Sequence, residues 1–90
     1  MNRFDYGQIP KHMMESIKYY VEEGSQIGSF LTALFSNDLF KAVARADDTN
    51  LALIPTYVCY IYNELPLGCH GSIKAIEEWQ LKKRKEKNNE

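Results

Sequence analysis

The chain has 90 residues, room for one domain with a single modest core, and its 44% hydrophobic and 26% charged residues exclude a disordered chain. Residues 82–90 carry five of the eleven basic and two of the twelve acidic side chains, which leaves +3 there and −4 over residues 1–81. An acidic body argues against a domain built to neutralise phosphates along a duplex, so nucleic acid is not an expected partner.

Residues 1–8 read as a polar lead-in whose Phe4 and Tyr6 are placed to pack on the body. Pro10 suits a helix start, where its missing N–H is no loss, and Met13, Ile17, Tyr20 and Val21 then form an apolar stripe. Gly24 suits the left-handed cap that ends this helix. Ser29 caps a short helix carrying Phe30, Leu31, Leu34 and Phe35. Ser36-Asn37-Asp38 starts another short one, with Leu39, Phe40, Val43 and Ala46 expected inward and Lys41 and Arg45 outward. Asp47-Asp48-Thr49 ends that helix and caps the central one.

Residues 50–65, NLALIPTYVCYIYNEL, are the most apolar stretch in the chain. Their β-branched and aromatic residues favour a strand locally, but no second run offers a strand to pair with. Leu51, Ile54, Val58, Ile61 and Leu65 recur at helical spacing, and Leu53, Tyr57 and Tyr60 make a second stripe. The expectation is a buried central helix. Pro55 in mid-helix would cost about 3 kcal/mol, so the helix starts just before it or bends there. A turn-rich loop over 63–72 leads to Ser72, which caps a last helix bearing Ile73, Ile76 and Trp79. The fold expected is all-α: a compact bundle of about five helices, two of them short, around a central apolar helix. The single helical domain spans residues 9–81, and the basic residues 82–90 form a disordered tail.

No catalytic constellation is visible. Cys69 and His70 are adjacent, but sequence neighbours in a loop point apart, and no third group is placed to orient the ring. The same pair falls short of the four donors of a zinc site, so no metal and no cofactor are expected, and the protein reads as a non-enzyme. Cys59 and Cys69 lack C-x-x-C spacing and read as reduced thiols. There is no secretory signal and no apolar run long enough to span a bilayer, so a cytoplasmic protein without membrane contact is expected. Asp38, Asp47 and Asp48 have capping roles at hand. Six tyrosines are a rich supply, and Tyr57 and Tyr60 point in different directions from one helix. They are candidates for an interface, and a homo-oligomer is the expected assembly.

Several short motifs stand in order along residues 9–80: Ile9-Pro10, GSFLTALFSNDL at 28–39, AVARAD at 42–47 followed by Asn50, IYNELP at 61–66, GCHGS at 68–72, and Trp79 beyond. With them the chain resembles a family of small, largely uncharacterised proteins encoded by bacteriophages and prophages. In that family an aromatic often stands where this chain has His70. The resemblance implies a phage accessory protein acting in the cytoplasm of the bacterial host. It suggests a binding protein that counters host defence by sequestering a small nucleotide signal or blocking a host protein. Polar residues at helix ends, Asn37, Asp38, Arg45, Asp47, Asn50 and Asn63, would line the site, with Arg45 meeting phosphate and Tyr62 stacking on a base. The alternative is a small oligomerisation or regulatory module working through protein contacts alone.

Overall fold

A computed structural model describes residues 4–88. Among them are six α-helices and no strand: α1 (Lys11–Glu23), α2 (Ser29–Phe35), α3 (Leu39–Arg45), α4 (Asp48–Ala52), α5 (Ile54–Glu64) and α6 (Ile73–Asn88). Short 3-10 turns precede α1 at Tyr6–Gln8 and α6 at Leu67–Cys69. The all-α bundle expected from the sequence is the fold observed.

Local chemistry fixes the helix ends. Gly24 takes φ 71° and passes its N–H to Tyr20 O at 2.9 Å, closing α1. A Cβ there would lie 2.9 Å from both Gln80 O and Lys83 Cβ, so the same glycine lets α6 approach α1. Side chains of α6 complete the join: Trp79 Nε1 donates to Val21 O at 3.1 Å and Gln80 Nε2 to Ser25 O at 3.3 Å. These bonds satisfy carbonyls at and beyond the end of α1 that no further helical turn would serve.

Helix α2 buries Phe30, Leu31, Ala33 and Phe35 and packs against α3, α5 and α6. Its rings meet neighbours edge to face, Phe30 with Tyr57 at 5.3 Å and Phe35 with Tyr20 at 5.2 Å between centroids. It ends at Asn37, whose φ of 65° lets Asp38 N–H reach back to Ala33 O at 2.9 Å. The Asp38 carboxylate then accepts from Lys41 N–H at 3.1 Å and starts α3.

The apolar run 50–65 is two helices, not one. Asp47 accepts from Asn50 N–H at 2.7 Å and caps the five-residue α4, and a break at Leu53 starts α5 at Ile54. Pro55 therefore sits in the first turn of α5, where no intrahelical bond is lost, and the first of the two alternatives holds. Ile54, Thr56, Tyr57 and Ile61 are buried, but Val58 is 49% and Tyr62 73% exposed. The run is thus covered on one side only, chiefly by α2, α4 and the turn at Tyr6–Gln8.

Two other expectations change. In α3 only Ala42 is buried; Leu39 and Val43 face solvent and Phe40 is 87% exposed. This helix has just two turns and meets α2 through one small buried residue, Ala42, with its large apolar side chains outward. Residues 82–88 are not a disordered tail but the last turns of α6. They are held there by Lys82 and Lys83 over the Trp79 ring at 5.2 and 4.9 Å and by a Lys87–Glu23 pair at 3.4 Å. Residues 89–90 lie outside the described residues. Tyr6 of the lead-in packs on the body as expected, edge to face on Tyr60 at 5.0 Å with its hydroxyl 3.4 Å from Cys59 O.

Candidate functional site

Two grooves flank the turn that joins α2 to α3. The first, about 240 Å³, runs between α2, α3 and the start of α6. Helical geometry places Lys41 and Arg45 on one flank of α3, four residues apart, beside the buried Ala42. They line this groove opposite Ser29 and Thr32 of α2, with Ile27 and Ile73 as apolar walls. Lys41 Nζ stands 4.0 Å from the Asp38 carboxylate, an exposed and therefore weak pair. Arg45 has no ion pair among the described residues. Thr32 and Ser36 spend their hydroxyl protons on helix carbonyls, Gly28 O at 2.9 Å and Ala33 O at 3.1 Å. They therefore offer lone pairs to a ligand, and the donors that remain for an anion are Lys41, Arg45 and the Ser29 hydroxyl.

The second groove, about 250 Å³, lies between α2, α5 and the residues before α6. Leu34, Val58, Ile61 and Tyr62 form its apolar walls, and Asn37 and His70 are its polar side chains.

The residues expected to share one site are therefore divided. Asp38 and Arg45 line the first groove, while Asn37 and Tyr62 line the second. Asp47 and Asn50 line neither, because each is engaged locally. Asp47 caps α4, and the buried Asn50 accepts the Tyr57 hydroxyl at 2.7 Å. Asn63 turns the other way, its side-chain amide 3.5 Å from the Tyr6 hydroxyl. Tyr57 cannot serve an interface: it is 0% exposed, and burial, with Asp47 nearby, pushes its hydroxyl pKa up to about 12. Tyr60 is half-buried under Tyr6, with its pKa raised by burial and then by Glu64 and Tyr6.

Sequence reasoning missed Ser29, Lys41 and Ile73 in the first groove and Val58 and His70 in the second. The i, i+4 spacing of Lys41 and Arg45 was the available signal for one of them. Nothing local marks His70. Its neighbour Cys69 is fully buried, and burial raises the thiol to about 11, so the thiolate that nucleophilic chemistry needs is scarce at neutral pH. No cluster of three or more metal-ligating side chains occurs among the described residues, and no helix there is long and apolar enough to cross a membrane. Comparison with protein-family models, with curated proteins and with solved structures finds no match.

Proposed function

We propose that the chain is a non-enzymatic accessory protein of a bacteriophage or prophage, acting in the host cytoplasm as an antagonist of host defence by sequestering a nucleotide signal. The observation that carries this reading is the first groove, where the unpaired Arg45 and the weakly paired Lys41 face small polar side chains between two isoleucines. A guanidinium and an ammonium on one helix flank suit a phosphate, and apolar walls beside them suit a sugar or ring. The groove is open and small, so a second copy of the chain is expected to complete the enclosure.

A second reading has its own observation. Leu39, Phe40 and Val43 of α3 and Leu51, Val58 and Tyr62 of α4 and α5 are exposed, and large apolar side chains in solvent are the material of a protein interface. On that reading the protein is an oligomerisation or regulatory module, or blocks a bacterial host protein, with no small ligand.

The two separate in one set of measurements: thermal melts with a panel of cyclic and linear nucleotides, together with mass in solution. A nucleotide at 100 times its dissociation constant adds about 2.7 kcal/mol. Arg45→Ala should abolish that shift while changing the unliganded stability by less than about 0.5 kcal/mol. Phe40→Ser should leave stability equally unaltered and lower the mass if α3 mediates assembly. No shift with any nucleotide, together with a monomeric mass, rejects signal binding. No shift with an oligomeric mass favours the second reading.

A further inference from the structure

The second groove differs from the first in kind. No lysine, arginine, aspartate or glutamate among the described residues lines it. Its walls are the aliphatic Leu34, Val58 and Ile61 with the aromatic Phe35 and Tyr62, and its polar side chains among the described residues, besides the Tyr62 hydroxyl, are a neutral amide, Asn37, and an imidazole, His70. Such a lining, with no lysine or arginine to meet a phosphate, suits an uncharged body with a polar edge. At about 250 Å³ the groove lies below the range of drug-sized sites, so it takes one ring system and leaves any sugar attached to that ring outside, in solvent.

Two features set it apart from a mere gap in packing. Tyr62 stands at its rim with most of its ring in solvent, and Val58 beside it is half exposed. In addition, Nε2 of His70 is sealed from solvent and has no hydrogen-bond partner among the described residues. A buried polar atom left unpaired is destabilising, and native structures hold few of them. The terminal ring torsion of histidine is broad, so the imidazole can turn about its Cβ–Cγ bond and bring that nitrogen toward the groove. Turned there, the nitrogen bonds water in the groove, and a ligand with a polar edge takes that water's place.

We propose that this groove binds an uncharged planar nitrogen heterocycle of the nucleobase or nucleoside class. The ring lies on Tyr62, and its polar edge is held by the Asn37 amide and by His70 Nε2 after the imidazole turns. The site does not depend on the phosphate groove. Ser36 and Asp38 line that groove, whereas Asn37 between them lines this one.

The test is a titration of the full chain, with labelled histidine and asparagine side chains followed by NMR. The probes are adenosine and guanosine (rings without phosphate), ribose 5-phosphate (phosphate without a ring) and benzene (a ring without a polar edge). At least one nucleoside should move the His70 Nε2 and Asn37 Nδ2 signals. His70→Phe and Tyr62→Ala should each weaken that binding at least tenfold, and Arg45→Ala should leave it unchanged. If His70→Phe fails to fold, Tyr62→Ala decides, since its ring is largely in solvent. The proposal is overturned if neither nucleoside moves the His70 ring, if benzene binds as tightly, or if the Tyr62 variant retains full affinity. A nucleoside response without a ribose 5-phosphate response supports this site and counts against the phosphate groove alone.

Discussion

Tyr57 and Asn50 show how a polar side chain that looks available in a sequence can be spent inside the fold. Asn50 stands where α4 begins, and its side-chain oxygen accepts the Tyr57 hydroxyl seven residues on, both groups buried. Removing the donor leaves that oxygen unpaired. Tyr57→Phe should therefore cost about 1–2 kcal/mol despite conserving the ring, measured by urea denaturation at neutral pH. A change under about 0.3 kcal/mol would mean that Asn50 finds another donor. The sequence could not distinguish Tyr57 from Tyr62, because both sit in the same apolar run. Only the placement of α2, whose Phe30 meets Tyr57, buries one and leaves the other in solvent.

At the level of the helix, what could be read was what is decided locally. Gly24, Asp38, Asp47 and Ser72 mark starts and stops because cap chemistry acts within three or four residues, whereas the cap expected at Ser29 falls on Gly28, with no side-chain bond. What could not be read was decided at a distance. Helix α3 turns its large apolar residues outward because it packs on α2 through Ala42, and no other element covers its far side among the described residues. Residues 82–88 stay helical because Trp79 and Glu23 bind their lysines. The close join of α1 and α6 gives the sharpest prediction. Gly24→Ala imposes both a left-handed backbone on a residue with a Cβ and a 2.9 Å contact with backbone of α6. It should cost about 2 kcal/mol or more by thermal or urea denaturation. Gly28→Ala meets nothing within 4 Å and serves as the control.

For the molecule as a whole, the fold class came from periodicity and from the lack of any second strand, but the site did not. Its expected residues were gathered from neighbouring helix ends, and the α2–α3 turn divides them between two grooves. A measurable property of the whole chain does come from burial. Tyr20 and Tyr57 are held above their ordinary 10.0 and Cys69 above 9.0, chiefly because burial disfavours their anions. In each case the unfolded chain gives up its proton at lower pH than the folded one. Stability is thus fully present below about pH 9 and declines as pH rises toward 11 and 12, where Cys69 and Tyr57 ionise in the folded state. Urea denaturation at pH 7, 9 and 10.5 checks this. Equal stability at all three values would contradict it.

The stretch between α5 and α6 has the composition of a surface loop, yet it is fastened to helices far away in the chain. Tyr20 donates to Cys69 O and Gly71 N–H to Phe35 O, each at 2.7 Å. That corner can open only by releasing α1 and α2 as well. The Gly71 amide should therefore exchange with deuterium as slowly as those of the core helices, and a motion gating either groove would have to be sought in side chains instead.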